Sequence, residues 1–129
     1  MASQKIMIID DNGEFTKELE ETLDMCGYET YTFFDGMSAI SLARKIKPDV
    51  ILLDMRMTKT NGFQVAEQLK QSAATAGIPI IAMSGYFDVE NDSSLLDMSK
   101  MDGRIAKPFT IFDLTDMIES VTKKIQLKH

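Results

Sequence analysis

The chain has 129 residues, of which 44% are hydrophobic, and its formal net charge is −6. This length fits one domain, so we expect 1–129 to form a single domain with its core over about 5–125. An acidic domain is a poor candidate for direct nucleic acid binding, which depends on cationic contacts with phosphates. No apolar stretch is long enough for membrane insertion. The single Cys26 can form no internal disulfide and no signal-peptide pattern is present, so we expect a cytoplasmic location.

Apolar runs and amphipathic segments alternate along the chain and predict five strands and five helices. In chain order these are strand 5–9, helix 14–25, strand 29–33, helix 37–46, strand 50–53, helix 62–72, strand 80–83, a helix within 86–103, strand 104–106 and a last helix that includes 111–125. The first and third strands are almost continuously apolar, as expected for parallel strands buried on both faces. The second alternates polar and apolar residues, as an exposed edge strand does. The alternation predicts an α/β fold, a doubly wound parallel sheet with helices on both faces.

The first predicted helix has a clear apolar face. Phe15, Leu19 and Leu23 lie four residues apart, a spacing that places them on one side of a helix. The spacing therefore predicts that Phe15 lies on the apolar face of this helix.

Three acidic residues stand at the ends of predicted strands. Asp10 and Asp11 follow the first strand, and Asp54 follows the third. Parallel strands present their carboxyl ends to one edge of the sheet, so these carboxylates should meet there. Crowded carboxylates repel one another unless a cation lies between them, and oxygen ligands suit Mg²⁺. A carboxylate beside such a metal is also a possible nucleophile towards phosphorus. The sequence therefore predicts a metal-assisted phosphoryl-transfer site.

Two further polar residues follow predicted strands and should lie at the same edge. Ser84 follows the fourth strand and Lys107 follows the fifth. Ordinary structural roles remain open at this point. Asp11 or Asn12 could cap the first helix, Ser84 could be a turn residue, and Lys107 could be a surface lysine.

Five motifs, in this order, are similar to those of the receiver domain of two-component response regulators, the CheY-like domains. They are Asp10-Asp11-Asn12, Asp54-Met55-Arg56-Met57, Asn61-Gly62-Phe63, Ser84-Gly85 and Lys107-Pro108-Phe109. The resemblance covers the chain from Lys5 to about Ile125. It implies a (βα)5, flavodoxin-like fold with strand order 2-1-3-4-5.

The resemblance also implies roles for the site residues. Asp54 would be the phosphoacceptor, taking a phosphoryl group from a phosphohistidine of a sensor histidine kinase or histidine-phosphotransfer protein. Asp11, Asp54 and the backbone carbonyl of Arg56 would be Mg²⁺ ligands, with Asp10 acting through water. These roles agree with the chemistry, because phosphoryl transfer needs positioning and neutralisation of charge.

Two remaining residues of the motifs would contact the transferred group. Ser84 would hydrogen-bond a phosphoryl oxygen. Lys107 would pair with Asp54 and then with the phosphoryl group. The family pattern further implies a cis peptide bond between Lys107 and Pro108.

The function implied is a phosphorylation-controlled binding switch that catalyses only its own phosphorylation and dephosphorylation. Its output would go to a downstream protein or a fused effector domain. Two alternatives are a receiver-like docking module that works without phosphorylation, and a small aspartate-nucleophile phosphatase. Arg56 argues against the phosphatase, because it stands where such enzymes carry a general acid.

Two positions depart from the family pattern. Arg104 stands three residues before Lys107, where the family usually has an aromatic switch residue. We expect its side chain to project to solvent. Thr58 stands four residues after Asp54, where a proline is common.

Overall fold

The computed structural model describes residues 3–85 and 101–127, with side chains up to residue 123. The elements are β1 (Lys5–Ile9), α1 (Gly13–Met25), β2 (Glu29–Phe33), α2 (Gly36–Ile46), β3 (Val50–Asp54), α3 (Gly62–Gln71), β4 (Ile80–Gly85), β5 (Gly103–Lys107) and α4 (Ile111–Leu127). The helix predicted within 86–103 falls mainly on 86–100, which lie outside the described residues. None of the described helices combines the length and apolar content that a bilayer crossing requires.

The five strands form one parallel sheet in the order β2-β1-β3-β4-β5, as the resemblance implied. β2 is an edge strand, as its alternating sequence predicted. Strands β3, β4 and β5 extend further than predicted, so Asp54, Ser84 and Lys107 are strand residues rather than loop residues. Their backbones are therefore held by the sheet, which fixes where each side chain starts.

Each face of the sheet has its own apolar core, because successive residues of a strand point to opposite faces. Met7 and Ile9 of β1 pack with α2 and α3, whereas Ile6 and Ile8 pack with α1 and α4. All four of these side chains are fully buried. Helices therefore cover both faces, as the alternation of elements predicted.

Asparagine side chains start the two helices that follow β1 and β3. Asn12 Oδ1 accepts a hydrogen bond from the Phe15 N–H at 3.1 Å, and Asn61 Oδ1 accepts one from the Phe63 N–H at 2.8 Å. Each satisfies an N–H of the first helical turn, which has no partner within the helix. Asn12, not Asp11, is thus the cap of α1, and Asp11 is left for another role.

An ion pair near the surface lies at the opposite edge of the sheet. Lys70 Nζ at the end of α3 lies 3.0 Å from Asp102 Oδ2, and the Ile80 N–H donates to the same oxygen at 2.8 Å. Lys70 also donates to the backbone oxygens of Ala76 and Ile78. These bonds join α3 to the starts of β4 and β5, the strands that carry Ser84 and Lys107.

Candidate functional site

The three acidic residues singled out in the sequence meet at the carboxyl edge of the sheet. Asp10, Asp11 and Asp54 each place one carboxylate oxygen within 4.8 Å of the others. Asp10 is fully buried and Asp54 is 7% exposed, whereas Asp11 is exposed at the rim. The strands β1 and β3 that end here are direct neighbours, which brings the side chains together.

Lys107 reaches these carboxylates from the end of β5. Its Nζ lies 2.6 Å from Asp10 Oδ2 and 3.9 Å from Asp54 Oδ1. The closer partner is therefore Asp10 rather than Asp54, the partner that the resemblance implied. The reason is that Asp10 is fully buried and needs a counter-charge, whereas Asp54 Oδ1 also accepts the Arg56 N–H at 3.2 Å.

Ser84 carries a buried hydroxyl close to the same edge. It lies one position beyond Met83, which is the ladder partner of Asp54. Its Oγ has no hydrogen-bond partner among the residues that the structure describes. A buried hydroxyl without a partner is costly, so this oxygen suits a hydrogen bond to a group that enters the site.

Burial and hydrogen bonding shift the pKa values of Asp54 and Asp11 in opposite directions. Burial raises the pKa of Asp54 to about 6, and the Asp10 carboxylate adds to the rise, while Lys107 and the Arg56 N–H act in the opposite direction. The pKa of Asp11 is lowered, chiefly by the hydrogen bond from the Thr58 backbone. A cation in the cluster would favour the ionised form of Asp54. Three carboxylates in a small space are a donor set that fits Mg²⁺.

The loop between β3 and α3 donates backbone hydrogen bonds to two of the carboxylates, those of Asp54 and Asp11. Arg56 and Asn61 form an isolated antiparallel bridge across it. The Thr58 N–H donates to Asp11 Oδ2 at 2.7 Å, a contact that the sequence did not indicate. Proline at this position would have no N–H to donate.

Replacing Thr58 by proline is expected to raise the pKa of the Asp11 carboxyl, because the hydrogen bond that stabilises its ionised form is lost. Carbon-detected NMR titration of metal-free protein measures this pKa. Thr58→Ala is the matched control, since alanine keeps the backbone N–H. Equal Asp11 pKa values in the proline variant and the wild type would contradict the expectation.

Three further positions can now be placed. Arg104 is exposed on β5, as expected from the sequence. The Lys107–Pro108 peptide bond is cis, as the resemblance implied. Phe15, predicted to lie on the apolar face of the first helix, has its ring centroid 4.1 Å from Lys107 Nζ. No sequence signal separated this aromatic contact from ordinary packing.

A family model described as the response regulator receiver domain matches residues 6–119. The chain belongs to this family. Receiver domains are generally non-enzymatic signalling switches, and phosphoryl acceptance in two-component signalling is the function that the homology supports. The family and the fold inferred from the five motifs are thereby confirmed.

Curated relatives of this receiver domain include proteins of two lengths. The chain is 30% identical to the probable transcriptional regulator ycf27 of Porphyridium aerugineum over 97% of its own length and 50% of the relative's. It is 29% identical to the polar-differentiation response regulator DivK of Brucella anthropi, over 91% of its own length and 94% of the relative's. The chain thus spans about half the length of the first curated relatives that it matches.

Solved structures show the same fold. The chemotaxis protein CheY4 of Vibrio cholerae matches with a TM-score of 0.85 at 26% identity, covering 93% of this receiver domain and 99% of that chain. The receiver domain of sensor histidine kinase PA1611 from Pseudomonas aeruginosa PAO1 matches with a TM-score of 0.86 at 24% identity, covering 95% and 99%. The flavodoxin-like arrangement is therefore common to all three chains.

Proposed function

We propose that Asp54 accepts a phosphoryl group from a phosphohistidine of a sensor histidine kinase or histidine-phosphotransfer protein, in a reaction that depends on Mg²⁺. The observation that carries this proposal is the cluster at the carboxyl edge. Oxygens of Asp10, Asp11 and Asp54 lie within 4.8 Å of one another, and Lys107 Nζ lies within 3.9 Å of two of these residues.

The transfer forms one bond and breaks one. A carboxylate oxygen of Asp54 bonds to phosphorus while the bond from phosphorus to the imidazole nitrogen breaks. The electron pair of that bond returns to the imidazole, which takes up a proton from solvent. Asp54 must be ionised to attack, and a pKa of about 6 leaves most of it ionised at neutral pH.

Lys107 and Ser84 contact the transferred group in this proposal. The Lys107 ammonium already lies beside Asp54 Oδ1, so it can neutralise charge on the phosphoryl oxygens as they arrive. The buried Ser84 hydroxyl, which has no partner among the described residues, donates a hydrogen bond to one of them. The strands that carry these residues hold both backbones in place before the reaction.

Asp11, Asp54 and the backbone carbonyl of Arg56 would hold the metal, with Asp10 acting through a water molecule. Bound Mg²⁺ supplies positive charge to the phosphoryl oxygens and to the crowded carboxylates. The PA1611 receiver domain, which has the same fold, was solved with a magnesium ion coordinated in its active site cleft. That neighbour supports the choice of metal.

We also propose that phosphorylation controls binding to an output protein or a fused effector domain. The domain would act in the cytoplasm and catalyse only its own phosphorylation and dephosphorylation. Relatives named as transcriptional regulators are about twice as long as the stretch that matches here. Because this domain carries a net charge of −6, we propose that it does not itself contact nucleic acid.

Incubation with acetyl phosphate, with Mg²⁺ or with EDTA, tests the proposed reaction. We expect intact mass spectrometry to find one added phosphoryl group with Mg²⁺ and none with EDTA. Hydroxylamine should remove the group, because it cleaves acyl phosphates and leaves phosphate esters intact. The proposal is wrong if no adduct forms with Mg²⁺, or if the adduct resists hydroxylamine.

A further inference from the structure

Phe15 contacts the site lysine through the face of its ring. Lys107 Nζ lies 4.1 Å from the centroid of the Phe15 ring. The Phe15 ring in turn meets the ring of Phe109 edge-to-face, with centroids 5.9 Å apart and planes at 89°. The ammonium therefore contacts an aromatic face as well as lying near the carboxylates of Asp10 and Asp54.

The position of the ring is set by the same short segment that carries Asp10. The Asn12 N–H donates to Asp10 Oδ1 at 2.9 Å, and Asn12 Oδ1 accepts from the Phe15 N–H at 3.1 Å. Lys107 Nζ then joins the Phe15 ring to Asp10 Oδ2. These contacts link Asp10, Asn12, Phe15 and Lys107 in a closed ring. A shift of the Phe15 side chain would therefore change the position of the Lys107 ammonium.

A lysine needs such support because its side chain is long and flexible. Four rotatable bonds separate the ammonium from the backbone, and holding them in one arrangement costs conformational entropy. An aromatic face attracts an ammonium most strongly where water is partly excluded, and the Lys107 side chain is only 24% exposed. A leucine could fill the same space on α1 but would offer no such attraction.

We propose that Phe15 is a positioning residue that holds the Lys107 ammonium at the carboxylate cluster, ready for the phosphoryl group. This inference rests on the proposed function of Asp54. It extends that function by assigning a role to a residue of α1 that is not among the proposed metal ligands or phosphoryl contacts. Phe109 completes the arrangement by fixing the tilt of the Phe15 ring.

Phe15→Leu and Phe15→Tyr form the test pair. We expect phosphoryl incorporation from acetyl phosphate, at saturating Mg²⁺, to be about tenfold slower in the leucine variant, the order expected for loss of a partly desolvated cation–π contact. The tyrosine variant keeps the aromatic face and should recover most of the wild-type rate. Wild-type rates in the leucine variant, or equal losses in both variants, would overturn the proposal.

A second measurement needs no phosphorylation. The ring current of Phe15 should shift the Lys107 Cε proton resonances upfield in the wild type and in Phe15→Tyr, and this shift should be absent in Phe15→Leu. A shift that persists in the leucine variant would overturn the proposed contact. If the wild type shows the shift but gains no phosphoryl group, the proposed function fails while the contact stands.

Discussion

Replacing Asp54 by asparagine is expected to abolish phosphoryl incorporation from acetyl phosphate completely. The amide keeps the shape of the side chain, but its nitrogen and oxygen are too weakly nucleophilic to attack phosphorus. Intact mass spectrometry in the presence of Mg²⁺ measures the loss. Asp116→Asn is the matched control, because Asp116 is an exposed acid of α4 and should leave the reaction unchanged.

The same variant has an expected effect on stability in metal-free buffer. The pKa of Asp54 is raised from 3.8 to about 6 in the folded protein. The folded state therefore binds more protons than the unfolded state between these values, and the wild type loses stability as pH rises through this window. Asparagine does not titrate, so urea unfolding of the variant should lack this part of the loss.

One outcome would contradict the role of Asp54 as the acceptor, and another would contradict its raised pKa. A hydroxylamine-sensitive adduct in Asp54→Asn would mean that another carboxylate is the acceptor. An unfolding free energy that falls equally in both proteins between pH 4 and pH 6 would mean that Asp54 is not the group with the raised pKa.

Replacing Gly62 by alanine is expected to lower the free energy of unfolding by about 1–3 kcal/mol, the usual cost of forcing extra atoms into a packed site. A Cβ at this position would lie 2.6 Å from Met55 Cα and 2.7 Å from the Asp54 carbonyl oxygen. Both are backbone atoms at the end of β3, so the strand or the helix must move. We expect phosphoryl incorporation to slow as well, because Asp54 moves with its backbone.

Gly77→Ala is the control for this experiment, since a Cβ there meets no atom within 4 Å. Its free energy of unfolding should change by less than about 1 kcal/mol. Urea denaturation measures both variants under the same conditions. If Gly62→Ala were as stable as Gly77→Ala and equally reactive, the close approach of α3 to β3 would not be needed for the site.

The strands were predictable where burial on both faces leaves a continuous apolar run. The bounds predicted for β1 and β2 are those of the structure, and the start of β3 was also found. The ends of β3, β4 and β5 were placed too early, because a polar residue ends the apolar pattern. The sheet continues through these residues, as the pairing of Ser84 with Ala106 and of Gly85 with Lys107 shows.

The carboxylate cluster was predictable because parallel topology forces Asp10, Asp11 and Asp54 to one edge. The preference of Lys107 for Asp10 was not, since it depends on the complete burial of the Asp10 side chain. A hydrogen bond from a backbone N–H cannot be predicted from residue type, because every residue except proline has this group. The contact of Thr58 with Asp11 could therefore be found only in three dimensions.

Phe15 shows a second limit on what the sequence can predict. Its spacing from Leu19 and Leu23 predicted a place on the apolar face of α1, and the side chain does pack against that core. Hydrophobic periodicity predicts which side of a helix a residue occupies, but it does not predict which residues of other elements its side chain contacts. The lysine that the ring contacts comes from the other end of the chain, so no local pattern could indicate it.

Cys26, the single cysteine of the chain, is exposed directly after the last turn of α1. Because α1 starts at the carboxyl edge and has 13 residues, its far end lies about 20 Å from the acidic cluster. A maleimide dye would therefore attach only at Cys26, far from the residues of the proposed phosphoryl-transfer site. The domain thus offers its own attachment point for fluorescence measurements of partner binding.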